Sequence, residues 1–306
     1  MNSAELKQAA RRFGADLVGI APADRFEGVA PERHPASIFP ECRAVVVLAR
    51  RVLRGALRGV EEGTNFGSTY HTFGYVWVED NFLAQTAYDT TCWIEERDFE
   101  AVPLFAYFED GMPKGAAVAP GKPPPNVYLD PYYAAVAAGL GEIGLGDFLI
   151  TPEFGTRQRL SIILTDAPLE PDPVRNKTIC GDCGACAEAC PFGAIDLAKR
   201  RPAGVPGSPM EVAAVDYALC RACPNGAMLG PGRGSRPDRI AAACGRACLV
   251  RLETGGRVGN RFEQPFRKRK PWALDAFRRP VEAASSDASS VGCDGVGSAA
   301  KSRGAP

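Results

Sequence analysis

The chain has 306 residues, with 36 Lys and Arg set against 36 Asp and Glu. That length allows two domains with cores of their own, and the balanced charge excludes a global electrostatic pull toward nucleic acid. No apolar run approaches the roughly 18 residues of a membrane helix, and "MNSAELKQAARRFG" holds neither an apolar signal core nor a twin arginine ahead of one; the expectation is a cytoplasmic protein with no membrane partner.

Along the chain, Ser3 is the candidate cap of a first helix, in which Leu6, Ala9, Ala10 and Phe13 recur at helical spacing and Gly14 supplies the stop. "DLVGIA" (16–21) and "CRAVVVLA" (42–49) read as strands, the second buried on both faces. Residues 75–98 read as a helix on the four-apart pairs Val78/Phe82 and Leu83/Ala87. "AVPLFAYF" (101–108) is a third strand, "PGKPPPN" (120–126) a loop, and "RLSIILT" (159–165) a fourth strand. Strands alternating with helices predict an α/β domain over 1–168. The prolines of "DAPLEPDPVRN" mark a boundary. A cysteine-rich segment (169–255), a basic arm (256–279) and a small, polar tail (280–306) expected to be disordered follow.

"AGLGEIG" (138–144) contains G-x-G-x-x-G, with Asp166 about 20 residues on, the string of a dinucleotide site. The local order contradicts that use. Asp130-Pro131 reads as a helix start, "YYAAVAA" as the helix, Gly139 as its end and "DFLITP" as an extended segment. A phosphate-binding loop needs the opposite order, strand before helix. What remains is glycines that serve a tight turn, or backbone that approaches something flat and large.

The chain has 11 cysteines, many for a compartment where disulfides are rare. Cys42, Cys92 and Cys293 stand apart, and the others cluster between Cys180 and Cys248. "CGDCGACAEACP" gives Cys180-x2-Cys183-x2-Cys186-x3-Cys190-Pro191, the bacterial ferredoxin run. In that run three thiolates wrap one cubane and the fourth reaches a second cluster. The second cluster needs its own cysteines, and Cys220, Cys223, Cys244 and Cys248 supply them. The simplest assignment is crossed: Cys180, Cys183, Cys186 and Cys248 on one cluster; Cys190, Cys220, Cys223 and Cys244 on the other. Two zinc sites of four cysteines each are the alternative.

"AGLGEIGLGDFLITPEFGTRQRLSIILTDAPL" followed by "CGDCGACAEACP" resembles the epoxyqueuosine reductase and reductive dehalogenase superfamily. The resemblance implies a nitroreductase-like α/β domain of cobalamin-binding type beside a small α+β ferredoxin-like domain with two 4Fe–4S clusters. It implies electrons arriving from a ferredoxin or flavodoxin, crossing the clusters to cobalt, and removing an oxygen or a halide from a small-molecule or tRNA-borne substrate. It places Gly139, Gly141, Gly144, Gly146, Gly155, Arg157 and Arg159 against the corrin, and makes Asp130, Tyr132 or Tyr133 candidate proton donors. The chain departs from the queuosine enzymes at Ala241, where a cysteine is expected and Cys223 is the substitute. It also departs at "TYHTFG", where Thr69 replaces the aspartate that would orient His71 toward cobalt. "RFEQPFRKRKPW" (261–272), basic with aromatics interleaved, is a candidate contact for a tRNA backbone, or an arm packed on the cluster domain. A second reading makes the chain an electron carrier that reduces the corrinoid of a partner protein.

Overall fold

A computed structural model describes residues 1–106, 114–176, 178–229 and 236–283. Helix α1 (Ser3–Arg12) is capped by Asn2 rather than Ser3: the Asn2 side chain accepts from the Glu5 N–H, and the Glu5 carboxylate accepts from the Asn2 N–H in return. This reciprocal box needs a Glu three residues past the cap, which only the Asn2 register provides. Strands β1 (Leu17–Pro22) and β2 (Ala44–Arg51) follow. Next come wide π-type turns over Gly67–Val76 and Val78–Leu83, then helix α2 (Ala84–Glu95). The helical stretch therefore begins earlier than the expected residue 75. Beyond lie β3 (Ala101–Phe105), α3 (Pro131–Ala137), β4 (Glu142–Gly144), β5 (Phe148–Ile150) and β6 (Gln158–Thr165). The last two residues assigned from sequence to the third strand lie outside the described residues.

The sheet order is β1-β2-β6-β3, and each pairing is antiparallel. The expected α/β class is corrected here to an α+β layer. Alternation suggested helical crossovers between parallel strands, but β1 reaches β2 through short turns rather than a crossover helix. The two-residue period of β2 decides the layers. Val46 and Leu48 pack with Leu6 and Ala10 of α1 and with Leu83, Ala87 and Ile94, while Val45, Val47 and Ala49 pack with Ala134, Ala135 and Ala138 around α3.

The cysteine-rich part adds a short helix α4 (Ala185–Glu188), the hairpin β7 (Ile195–Val205) and β8 (Ser208–Val215), α5 (Tyr217–Arg221) and α6 (Ala243–Thr254). Packing crosses the proline-marked boundary. Met210 and Val212 join the α3 core, and Ile240, Ala241, Leu249 and Phe266 pack with Val52, Leu57, Val60 and Tyr70. The basic arm lies against residues 54–62: Arg267 pairs with Glu61 and Arg269 with Glu62, and the Trp272 indole donates to the Val60 carbonyl. Strands β9 (Ala273–Leu274) and β10 (Pro280–Val281) close that region. Of the tail expected to be disordered, residues 284–306, with Cys293, lie outside the described residues.

Candidate metal centre

The clustered cysteines are carried by four short pieces of structure. Cys180 and Cys183 sit in a turn with Gly181, Asp182 and Gly184 at φ +62, +49 and +74. These left-handed residues coil the backbone tightly enough to aim successive thiols inward. Cys186 is the second residue of α4 and Cys190 follows the helix. Cys220 is on α5, whose first N–H groups are capped by Asp216. Cys244 and Cys248 are four apart on α6, so they share a face one turn apart.

Their mutual electrostatics link them into two overlapping sets that meet at Cys244. Burial first, then the neighbouring thiols of Cys244, Cys180 and Cys183, push the Cys186 thiol up to about 12. Cys248 is raised well above the ordinary thiol value by burial, then by Cys186, Cys180 and Cys183. Burial, with Cys244, Cys190 and Cys223 nearby, pushes Cys220 up to about 12 despite a lowering influence from Arg239. Cys223 and Cys244 are raised by burial too, and both feel Cys190. Buried thiols that repel one another in this way ionise together only around a cationic centre. The donor chemistry therefore fits iron–sulfur ligation. Among the described residues no three His, Cys, Asp or Glu side chains close on a single-ion position; a cubane has no need of that, since each thiolate binds a different iron at its corner. Backbone and amide N–H groups face the sulfurs: Leu145 N–H lies 3.3 Å from Cys180 Sγ, Ala194 N–H 3.4 Å from Cys190 Sγ, and Asn225 Nδ2 3.7 Å from Cys223 Sγ.

The glycine loop lies beside the first set. α3 ends at Ala137 and Gly139 follows at φ +71, a left-handed helix stop. A Cβ on Gly146 would stand 2.7 Å from Cys186 Sγ, and one on Gly144 would stand 2.4 Å from Ile150 Cδ1 and 3.3 Å from Cys180 Sγ. Glu142, 1% exposed, accepts the N–H groups of Thr178, Ile179 and Cys180 at 2.6, 2.8 and 2.6 Å. It thereby holds the strand that delivers the first thiol. Asp147, next after Gly146, accepts from Arg201 (2.5 Å), the Tyr217 hydroxyl (2.6 Å) and Arg236 (2.9 Å). Burial pushes its carboxyl up, but Arg236, Arg201 and the Tyr217 hydrogen bond outweigh that and hold it below the usual range. Through Tyr217 the loop is tied to the helix that bears Cys220.

The residues expected to touch a corrin are engaged with protein instead. Cβ atoms on Gly139, Gly141 and Gly155 would meet Pro173 O at 2.3 Å, Ile150 O at 2.2 Å and Leu252 Cδ1 at 2.9 Å. Arg157, 1% exposed, donates to the Val52 carbonyl and to Asn260, both at 2.8 Å. Arg159 pairs with Asp238 (2.8 Å) and Glu79 (3.3 Å) and donates to the Gly74 carbonyl. Residues 141–151 are all buried within the protein; atoms that lined a corrin face would be open. The cavity beside Tyr132, Arg159, Arg236 and Arg239 measures about 90 Å³, well below the ~300–1,000 Å³ of a drug-sized ligand site. These residues do not fit cobalamin, and no step is derived through it. The peptide carbonyls, Leu252 and the Cys186 sulfur already occupy the space the glycines leave.

The candidate proton donors are not brought together. Asp130 is a helix cap, accepting from the N–H groups of Tyr132 (2.8 Å) and Tyr133 (3.0 Å), and it lines a different cavity of about 610 Å³ with Tyr128, Tyr133 and Lys114. The Tyr133 hydroxyl donates to the Arg25 carbonyl. Tyr132 faces the smaller cavity under Arg236, 5.0 Å from its ring centroid; burial raises its phenol against the pull of Arg236. His71 is exposed, in edge contact with Tyr75. Sequence reasoning passed over Glu142, Asp147, Arg236 and Arg239. A charged residue inside the apolar run "GLGEIGLG" was the available signal for Glu142.

A 4Fe–4S binding domain model matches residues 173–196. A tetrachloroethene reductive dehalogenase from Desulfitobacterium hafniense is 30% identical over 231 residues, 63% of this chain and 38% of that protein. An epoxyqueuosine reductase from Gloeobacter violaceus is 31% identical over 212 residues, 63% of this chain and 60% of the other. This chain is similar in sequence to the epoxyqueuosine reductases and reductive dehalogenases. The match spans less than two thirds of the length of either relative. A solved catabolic reductive dehalogenase shares the fold, with a TM-score of 0.53 at 18% identity over 92% of this chain and 41% of that one. Residues 173–196 thus match a 4Fe–4S binding segment, and no helix among the described residues is long and apolar enough to cross a membrane.

Proposed function

We propose that this chain is an iron–sulfur reductase that carries electrons through two 4Fe–4S clusters to an acceptor held outside it, the corrinoid of a partner protein. The observation that carries the reading is the crossing of the thiols. Cys248 and Cys186 neighbour Cys180, Cys183 and also Cys244, while Cys190 neighbours Cys220, Cys223 and Cys244. The run that begins on one cluster ends on the next, which keeps the two clusters close enough for transfer. Electrons enter singly from a ferredoxin or flavodoxin and leave to the acceptor. The names of the relatives support reductive removal of oxygen or halide as the chemistry downstream. The engagement of Gly139, Gly141, Gly144, Gly146, Gly155, Arg157 and Arg159 with protein favours an acceptor bound elsewhere over a corrin bound in the loop. Bound cobalamin would supply a strongly reducing cobalt; the residues assigned to hold it are those that do not fit it.

Anaerobic purification followed by iron analysis, EPR of the reduced protein and a corrinoid retention assay tests the reading. The expected result is about 8 iron atoms per chain, two reduced-cluster signals and no corrinoid retained after gel filtration. Cys220→Ala and Cys248→Ala should each remove one signal. Zinc without iron would overturn the cluster assignment, and stoichiometric corrinoid retention would overturn the external acceptor.

A further inference from the structure

Arg239 is 5% exposed, yet only one of its terminal nitrogens is engaged. Nη2 donates to the carbonyls of Gly146 and Asp147, each at 2.9 Å, and lies 3.4 Å from the Tyr217 hydroxyl. Nη1 is buried with no hydrogen-bond partner among the described residues. Leaving a buried donor unmade costs about 1–3 kcal/mol, more when it is charged, so an orphan at this depth points to a partner that protein atoms do not provide. The surroundings say where. The guanidinium stacks on Phe148 (4.4 Å to the ring centroid) and on Tyr217 (5.2 Å). Tyr217 opens the helix that bears Cys220. A Cβ on Gly245, the neighbour of Cys244, would stand 2.3 Å from the Arg239 carbonyl. Gly146, whose carbonyl Arg239 holds, abuts Cys186 Sγ. The side chain therefore lies between the two cysteine sets, nearer the second.

Resting on the cluster assignment above, we propose that Arg239 is a positioning residue for electron flow: Nη1 donates a charge-assisted N–H to a sulfur of the second cluster and raises its reduction potential. Net charge and hydrogen bonds to sulfur are the protein's levers on cluster potential, and a guanidinium stabilises the added electron through both. The first cluster has both signs beside it: the Glu142 carboxylate accepts the Cys180 N–H, and Arg257 donates to the neighbouring Ile179 carbonyl.

The test is an EPR-monitored redox titration of the holoprotein and of Arg239→Gln and Arg239→Lys, with Cys220→Ala identifying which signal is the first cluster's. Arg239→Gln should lower the second potential and leave the first nearly in place; Arg239→Lys, which keeps the charge, should recover part of the shift. Two intact clusters with unmoved potentials would overturn the proposal. Since Arg239 also holds the 146–147 carbonyls, loss of a cluster in the Gln variant passes the decision to unmutated protein carrying 15N-guanidino arginine. Pulsed EPR should then find arginine nitrogen coupled to the second reduced cluster, and its absence there overturns the proposal. Arg257, which donates to the Ile179 carbonyl, is read at the first cluster and does not confuse the result. A wild-type protein with fewer than two clusters would instead refute the underlying assignment.

Discussion

Glu142 stands in an apolar loop and spends its carboxylate on three backbone N–H groups some 36–38 residues further along the chain. Replacing it with Gln turns one acceptor oxygen into a donor that faces other donors. The expected cost is about 1–3 kcal/mol, together with a lower occupancy of the first cluster, read as iron content against protein concentration. Asp147 makes a second test. Its folded carboxyl is held below its ordinary value of 3.8, so its stabilisation is complete above that value and is lost only as the pH falls through the lowered one. Measurement at neutral pH therefore captures all of it. Asp147→Asn leaves Arg236 without its carboxylate and should destabilise the protein by about 3 kcal/mol in denaturant unfolding at pH 7. Neither residue was legible as a site in the sequence, because the groups that give each its role lie far away along the chain.

Elements were more legible than side-chain roles. The Asp130-Pro131 helix start, the Gly139 stop and the extended segment after it could be read because capping and turn chemistry act over a few residues. The same local order removed the dinucleotide reading. The wide turns of 67–83 were less legible, since π-type hydrogen bonding follows neither the 3.6 nor the two-residue period. The purpose of the glycines was hidden as well: absence of a side chain is visible in sequence, but the atom that fills the space is not. Gly146→Ala tests the structural answer. Its Cβ would fall 2.7 Å from Cys186 Sγ, so the variant should lose the first cluster and retain the second, seen as one missing EPR signal with the fold intact by circular dichroism.

At the scale of the whole molecule, the proline-marked boundary separates compositions without separating cores. Glu61 accepts from Arg246 of α6 and from Arg267 of the basic arm, both at 2.7 Å; Arg54 pairs with Glu253 at 2.8 Å; and Arg159 pairs with Asp238. Glu61 and Arg246 are both buried, so removing one partner strands the other. Glu61→Gln should cost about 3 kcal/mol, and it should lower the unfolding midpoint of the sheet and of the cluster region together, followed by tryptophan fluorescence and visible absorption. Separate transitions would mean that the two parts fold independently. The arm's positive charge, read from sequence as a candidate for nucleic acid or for packing, is largely met by Glu61, Glu62 and Glu282.

By itself the sequence determined what depends on spacing along the chain: the ferredoxin run, the second group of cysteines it requires, the helix and strand segments, and the kinship they imply. Only the tertiary structure decided what depends on distance through space. It set the antiparallel order of the sheet, and it set the glycines against peptide carbonyls and a cysteine sulfur. It also brought Glu142, Asp147 and Arg239 to the thiols. The reason is physical. Turns, caps and ligand spacing act within a few residues, whereas a buried charge takes its role from partners that only the fold places within a few ångströms.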